Sequence, residues 1–305
     1  ANITGHSTAP TIAYTDGGAT AVADAAGNQL ATFAATNLSD GAVPIVATRQ
    51  YEDSDGNGTV DRLSLTLSEA ASTQTAVLGD FAYTAGSITG SALSGGTLSY
   101  PSSTAMRLVF GTAGNANITG HSTAPTIAYT DGGATAIADA AGNQLPTFSA
   151  ISLSDAAVPA FVSATTTSTT NMRITMSEAV SAVTFGAAGG WTATGLTSSA
   201  VTINSDTTKL DLTVSAVNRG YTASDFAFTS GVSGSAISDA ASNATASFTS
   251  KTIADGVAPD APGSFTRSTG SGTTATFTWT ATSDTNFNHY EIWYGTNSTD
   301  VTNRN

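Results

Sequence analysis

The chain has no cysteine and only nine lysines and arginines in 305 residues. Without cysteine there is no disulfide, no thiolate zinc site and no thiol nucleophile. Against 22 aspartates and glutamates the few cations leave a net charge of −13, so there is no basic footprint for DNA or RNA. An acidic surface of this kind repels phosphate and attracts cations. Charged residues are only 10% of the whole, which excludes a charge-rich disordered tail. Leu, Glu and Lys are too scarce for a helical protein. Apolar runs last a few residues each, so no stretch spans a bilayer as a helix. The opening Ala1-Asn2-Ile3-Thr4 shows no Met, basic region or apolar core of a signal peptide, and a mature, processed or trimmed segment is expected.

What is abundant is Thr, Ser, Ala, Gly and Val, with 40% apolar residues, enough to build a core without disulfides. The chain also repeats itself. Residues 1–44 recur at 116–159 with differences at Val22/Ile137, Ala31/Pro146, Ala34/Ser149, Thr36/Ile151, Asn37/Ser152 and Gly41/Ala156. A third, diverged copy carries Ser238-Asp239-Ala240-Ala241-Ser242-Asn243 where the second has Ala138-Asp139-Ala140-Ala141-Gly142-Asn143. The period is 115 residues and then 100, the size of a β-sandwich domain.

Local pattern agrees with strands. Arg62-Leu63-Ser64-Leu65-Thr66-Leu67, Met172-Arg173-Ile174-Thr175-Met176 and Leu210-Asp211-Leu212-Thr213-Val214 alternate with period two. Gly, Asn, Asp and Ser separate such runs at short intervals, and the Ala-rich stretch 19–26 is too short and too broken for a helix. Asp40-Gly41-Ala42-Val43-Pro44 and Asp155-Ala156-Ala157-Val158-Pro159 read as linkers into a first strand, where Pro is tolerated. The expected division is 1–40, the closing strands of one repeat; 41–155, a complete sandwich; 156–255, a second; and 256–305, a different segment. On this reading the sequence is a window on a longer array.

The string Thr11-Ile12-Ala13-Tyr14-Thr15 with Asp24-Ala25-Ala26-Gly27-Asn28, repeated at 126–130 and 139–143, resembles the Ig-like repeats of large bacterial surface proteins. It is similar to repeats of cyanobacterial swimming-motility and S-layer-type proteins, and the Ser68-Glu69 and Ser177-Glu178 pairs fit the same pattern. Pro259-Asp260-Ala261-Pro262, Ala275-Thr276-Phe277-Thr278-Trp279 and Tyr290-Glu291-Ile292-Trp293-Tyr294 resemble the first half of a fibronectin type III domain, with the Trp and Tyr as its core. These resemblances imply an all-β fold of tandem Ig-like β-sandwiches in an extended array with a C-terminal fibronectin type III-like segment. They imply an extracellular, cell-surface structural role with no catalytic residues.

Two kinds of acidic grouping point to calcium, which takes six to eight oxygen ligands. In Asp53-Ser54-Asp55-Gly56-Asn57-Gly58-Thr59-Val60-Asp61, Asp53, Asp55 and Asn57 stand at alternate positions and Gly58 at the sharp turn. Thr59 offers a carbonyl and Asp61 fills the ninth position, while Ser64 replaces the bidentate Glu at the twelfth. The other reading is a plain hairpin loop, since Asp-Gly and Asn-Gly are strong turn formers. The third copy has the shorter Thr-rich loop 164–170 there, so the fold does not require the acidic version.

The second grouping follows from Ig-like topology, which gathers the linker and two loops at one end of each sandwich. Asp40, Glu69, Asp139 and Asn143 are expected to meet there in one repeat, and Asp155, Glu178, Asp239 and Asn243 in the next. The competing reading is that Asp24, Asp139 and Asp239 each shape an Asx turn with the Asn that follows.

Catalytic patterns are weak. His6 and His121 are one repeat position in Gly-His-Ser-Thr-Ala-Pro, and a Ser beside a His in sequence is no triad. Gly17-Gly18 and Gly95-Gly96 lack a phosphate-binding Lys, and no carboxylate pair stands out as a glycosidase dyad. Trp191, Trp279 and Trp293 suit core packing before sugar stacking. Asn-X-Ser/Thr triplets begin at Asn2, Asn37, Asn57, Asn117, Asn243 and Asn297, as chance gives in a Thr- and Ser-rich chain. The function expected is a non-catalytic segment of a cell-surface filament, S-layer or adhesin stalk, self-associating through exposed edge strands. Spacer modules of a secreted polysaccharide-degrading enzyme, or an adhesin that binds a glycan or surface protein, are the alternatives.

Overall fold

The structure is a computed structural model. It describes residues 10–17, 21–84, 88–89, 93, 95–111, 116–118, 124–133, 136–186, 190–268, 275–282, 284 and 287–292. His6, His121, Trp293 and the triplets at Asn2 and Asn297 lie outside the described residues, as does the side chain of Asn117. Among the described residues there is no α-helix, only strands, loops and two short 3-10 turns, Leu78–Asp80 and Val232–Gly234. Two compact units emerge, one of residues 1–160 with 241–243, the other of 161–240 with 244–305.

The strands stand where the alternation put them. In Arg62–Leu67 the odd-numbered leucines are buried and the residues between them are more open, with Leu63, Leu65 and Leu67 at 3% exposure or less. Asn171–Met176 and Lys209–Val214 repeat the pattern. Pro44 and Pro159 are buried just ahead of the strands Val46–Glu52 and Phe161–Ser168.

In the first unit, two sheets close over one core. One sheet has the order Ser154–Asp155, Val46–Glu52, Arg62–Leu67, Ala105–Val109, Thr97–Ser102, with the first pair parallel. The other runs Phe148–Ser152, Thr126–Tyr129, Phe81–Thr84. Leu63, Leu65, Met106 and Leu108 from one sheet meet Phe81, Ile127 and Tyr129 from the other. Ahead of these lies the pair Thr11–Tyr14 and Phe33–Asn37, which stands as a separate two-stranded sheet.

The second unit closes its sheet. Seven strands form a barrel in the order Phe161–Ser168, Asn171–Met176, Lys209–Val214, Leu196–Ile203, Trp191–Ala193, Ala223–Phe228, Phe248–Ala254. Closure takes two joins, and in one of them Trp191–Ala193 pairs with both Leu196–Ile203 and Ala223–Phe228. Phe248–Ala254 runs unbroken, pairing antiparallel with Ala223–Phe228 and then parallel with Phe161–Ser168. In the first unit the stretch equivalent to Phe248–Ala254 is interrupted at Leu153, whose amide donates to the Pro125 carbonyl, and Phe81–Thr84 pairs with Thr126–Tyr129 and not with Thr97–Ser102, so the two sheets are separate. Trp191, Phe226, Phe228 and Phe248 build the aromatic centre of the second core. Trp191, at 2% exposure, is therefore a core residue and not a stacking platform.

In the C-terminal segment, Gly263–Ser268 pairs antiparallel with Thr276–Thr280, and Trp279 meets Tyr290 edge-on at 5.4 Å. Residues 290–292 carry no strand. Arg219 ties this segment to the barrel, donating to the Ala258 carbonyl at 2.7 Å and pairing with Asp260.

Candidate functional site: clustered carboxylates

The loop between Val46–Glu52 and Arg62–Leu67 folds around Asp53. Its Oδ1 accepts from the Gly56 amide at 2.9 Å and the Asn57 amide at 3.2 Å, and its Oδ2 from the Gly58 amide at 2.7 Å. Gly56 and Gly58 make this wrap feasible, at φ of +71° and +91°. Asp61 closes the loop by accepting from the Ser54 amide and hydroxyl at 3.0 and 2.6 Å. One carboxylate oxygen each from Asp53, Asp55 and Asp61 then lies within 4.8 Å of the others. Burial pushes the Asp53 carboxyl up; the Gly58 amide opposes this, and the neighbouring Asp55 carboxyl adds to the rise. Asn57 turns its Oδ1 to the Thr59 amide at 2.8 Å and its Nδ2 to Asp55 at 2.9 Å. As an oxygen ligand Asn57 would have to release Thr59.

The second grouping is built from three loops. Asp139 is 4% exposed; its Oδ1 accepts from the amides of Ala141 at 2.9 Å and Asn143 at 2.8 Å, and its Oδ2 from Asn143 Nδ2 at 2.8 Å. Asn143 Nδ2 also donates to the Asp40 carbonyl at 3.2 Å, which brings the linker to the loop. Glu69 follows the end of strand Arg62–Leu67, where the Ile45 amide donates to Ser68 Oγ at 3.0 Å. Carboxylate oxygens of Asp40, Glu69 and Asp139 lie within 4.8 Å of one another. Burial raises the Glu69 carboxyl, and the charges of Asp40 and Asp139 raise it further. Burial also pushes Asp139 up, but the bonds from Asn143, Ala141 and Gly142 outweigh it and hold that carboxyl below the usual range.

One positioning residue escaped the reading of the sequence. Ser72 donates its amide to the Ala138 carbonyl at 2.8 Å and its hydroxyl to the Asp139 carbonyl at 2.6 Å, clamping the Asp139 loop beside Glu69. Ser181 bonds the carbonyls of Ser238 and Asp239 in the same way in the next copy. The signal was present as Ser68-Glu69-Ala70-Ala71-Ser72 and Ser177-Glu178-Ala179-Val180-Ser181.

The Asx turn is real in its own right. Asp24, in the first copy, accepts from the amides of Ala26 and Asn28 and from Asn28 Nδ2, each at 2.9 Å. The loop thus takes its shape from its own hydrogen bonds, while Asp139 adds two facing carboxylates.

In the remaining grouping, Asp155 belongs to the first unit, where its Oδ1 accepts from the Ala157 amide at 3.0 Å. Glu178 and Asp239 belong to the second, at 1% and 2% exposure, with carboxylate oxygens within 4.8 Å of each other. Asn243 is half-buried in the loop 241–243, which clusters with the first unit.

These arrangements suit a hard cation, since close carboxylates lose repulsion when a divalent ion sits between them. His289 is exposed beside Glu291 at 3.3 Å. One surface recess is lined by Ala47, Thr48, Arg49 and residues 152–154, another by Ile45, Val46, Leu145, Pro146, Phe148 and Ile151, and neither sets an acid beside a base. No family model matches this chain, and no curated protein matches it.

Proposed function

We propose that this chain is a repeat-built segment of an extracellular structural protein, a cell-surface filament, S-layer or adhesin stalk, made of Ig-like sandwiches followed by a fibronectin type III-like segment. The observation that carries the reading is that the duplicated sequence folds twice into the same local structure. Tyr14↔Phe33 and Tyr129↔Phe148 are the same pairing, with the same bulge before them. The bridges Ala23↔Gln29 and Ala138↔Gln144 match as well. A chain that repeats a strand module and gathers clustered carboxylates at its loops serves spacing and assembly better than turnover. Within this reading the Asp53–Asp55–Asp61 and Asp40–Glu69–Asp139 groups take calcium, at the millimolar levels found outside cells.

Negative-stain microscopy of the native material, with calcium and then with a chelator, tests this. Rods, filaments or sheets that loosen on chelation are expected. Compact particles that turn over a polysaccharide, unchanged by the chelator, would overturn the reading in favour of an enzyme.

A further inference from the structure

The first copy shows an apolar face that the second copy buries. Ile12, Val22, Leu30, Phe33 and Leu38 are 49%, 59%, 45%, 36% and 44% exposed. Their counterparts Ile127, Ile137, Leu145 and Leu153 are 0%, 0%, 1% and 3% exposed, and Phe148 packs at the edge of the same core. The local structure is nonetheless identical. Thr11↔Asn37 and Ile12↔Thr36 repeat as Thr126↔Ser152 and Ile127↔Ile151. Tyr14 and Phe33 lie 6.0 Å apart, as Tyr129 and Phe148 lie 5.8 Å apart. The Asp16 amide meets Thr32 as the Asp131 amide meets Thr147, both at 2.9 Å. Residues 10–17 and 21–38 are therefore already shaped for a partner.

What that partner looks like is given by the second copy. There the face is covered by strands of residues 45–110: Ile127 pairs beside Tyr83, Tyr129 packs on Phe81 at 5.1 Å, and Leu63, Leu65 and Met106 fill the core behind them. The count of halves excludes an exchange of opening halves between copies of this chain. Each chain holds one such opening half, and residues 125–153 already cover it; the strands from Phe161 onward complete their own barrel. Exchange between copies would leave as many faces bare as before.

We propose that the face of Ile12, Val22, Leu30, Phe33 and Leu38 docks an opening half of the 45–110 pattern, additional to the one in this chain, and so completes a further sandwich. This rests on the repeat-built reading above.

The test compares the protein with a version carrying a second copy of residues 41–115 ahead of Ala1, by backbone hydrogen exchange. Amides of Thr11–Tyr14 and Phe33–Asn37 are expected to slow on the order of 100-fold in the extended chain, toward those of Thr126–Tyr129. Ile12→Asp in the extended chain should return them to the fast rate. Equal rates with and without the extension would overturn the proposal. So would protection that appears in the unextended protein as its concentration rises, because a second copy would then be the occupant. Either result leaves the array reading to its microscopy, which does not depend on this face.

Discussion

Ser242 is a single residue at which the repeats disagree with their own backbone. It sits at φ +72°, where the earlier copies have Gly27 at +86° and Gly142 at +89°. A side chain in the left-handed region is strained, so Ser242→Gly should stabilise the protein by about 0.5–1 kcal/mol, and Gly142→Ser should cost a similar amount. Urea unfolding of both variants measures this, and opposite signs are the expected result.

Asp139 and Glu69 make a sharper pair because their carboxyls are displaced in opposite directions. The folded Asp139 titrates below its usual 3.8, so its contribution is full above that pH and fades as the pH falls through the lower folded value. Glu69 titrates above its usual 4.5, so its ionised form weakens the fold above the raised value, and acid relieves that penalty. Glu69→Gln should therefore raise the melting temperature at pH 7 without divalent cations and leave it unchanged at pH 3. With calcium present the sign should reverse at pH 7, because the variant loses a ligand. A variant equally stable with and without calcium, beside a parent that gains nothing from calcium, would remove the metal from this site.

At the scale of the element, the strand Arg62–Leu67 separates core from surface residue by residue. Leu65→Ala should cost roughly 2–5 kcal/mol, whereas Thr66→Ala, on the open face, should change stability by no more than about 0.5 kcal/mol. Chemical denaturation of the two variants checks the contrast. This strand was legible because alternation is a local signal that survives any tertiary arrangement. The loop at Asp53 was legible for a similar reason: Asp53, Asp55 and Asp61 lie within nine residues, and the glycines between Asp55 and Asp61 let the chain fold back so that the three carboxylates converge. Ser72 was not, since a serine among many in this chain carries no mark of its bond to the Asp139 carbonyl, 67 residues away. Replacing it with Ala should cost about 1 kcal/mol and shift the Asp139 loop.

For the whole molecule, all-β composition made the class readable. Closure of the second unit into a barrel was not readable. It depends on a strand near residue 250 running unbroken to pair with one near residue 164, and on Trp191–Ala193 joining strands on both of its sides, choices of pairing with no local signature. The outcome is two separate cores, with Met106 fully buried in one and Met172 in the other. Both methionines stand in strands flanked by buried leucines or isoleucines, so each truncation should open a comparable cavity, at about 2–5 kcal/mol. Calorimetry should then resolve two transitions. Met106→Ala should lower one and Met172→Ala the other, and the double variant should show the sum of the two shifts, because groups in different cores share no neighbours. If either substitution lowered both transitions together, the two cores would belong to one cooperative body, and the repeats would have to be treated as a single folding unit and not as successive modules.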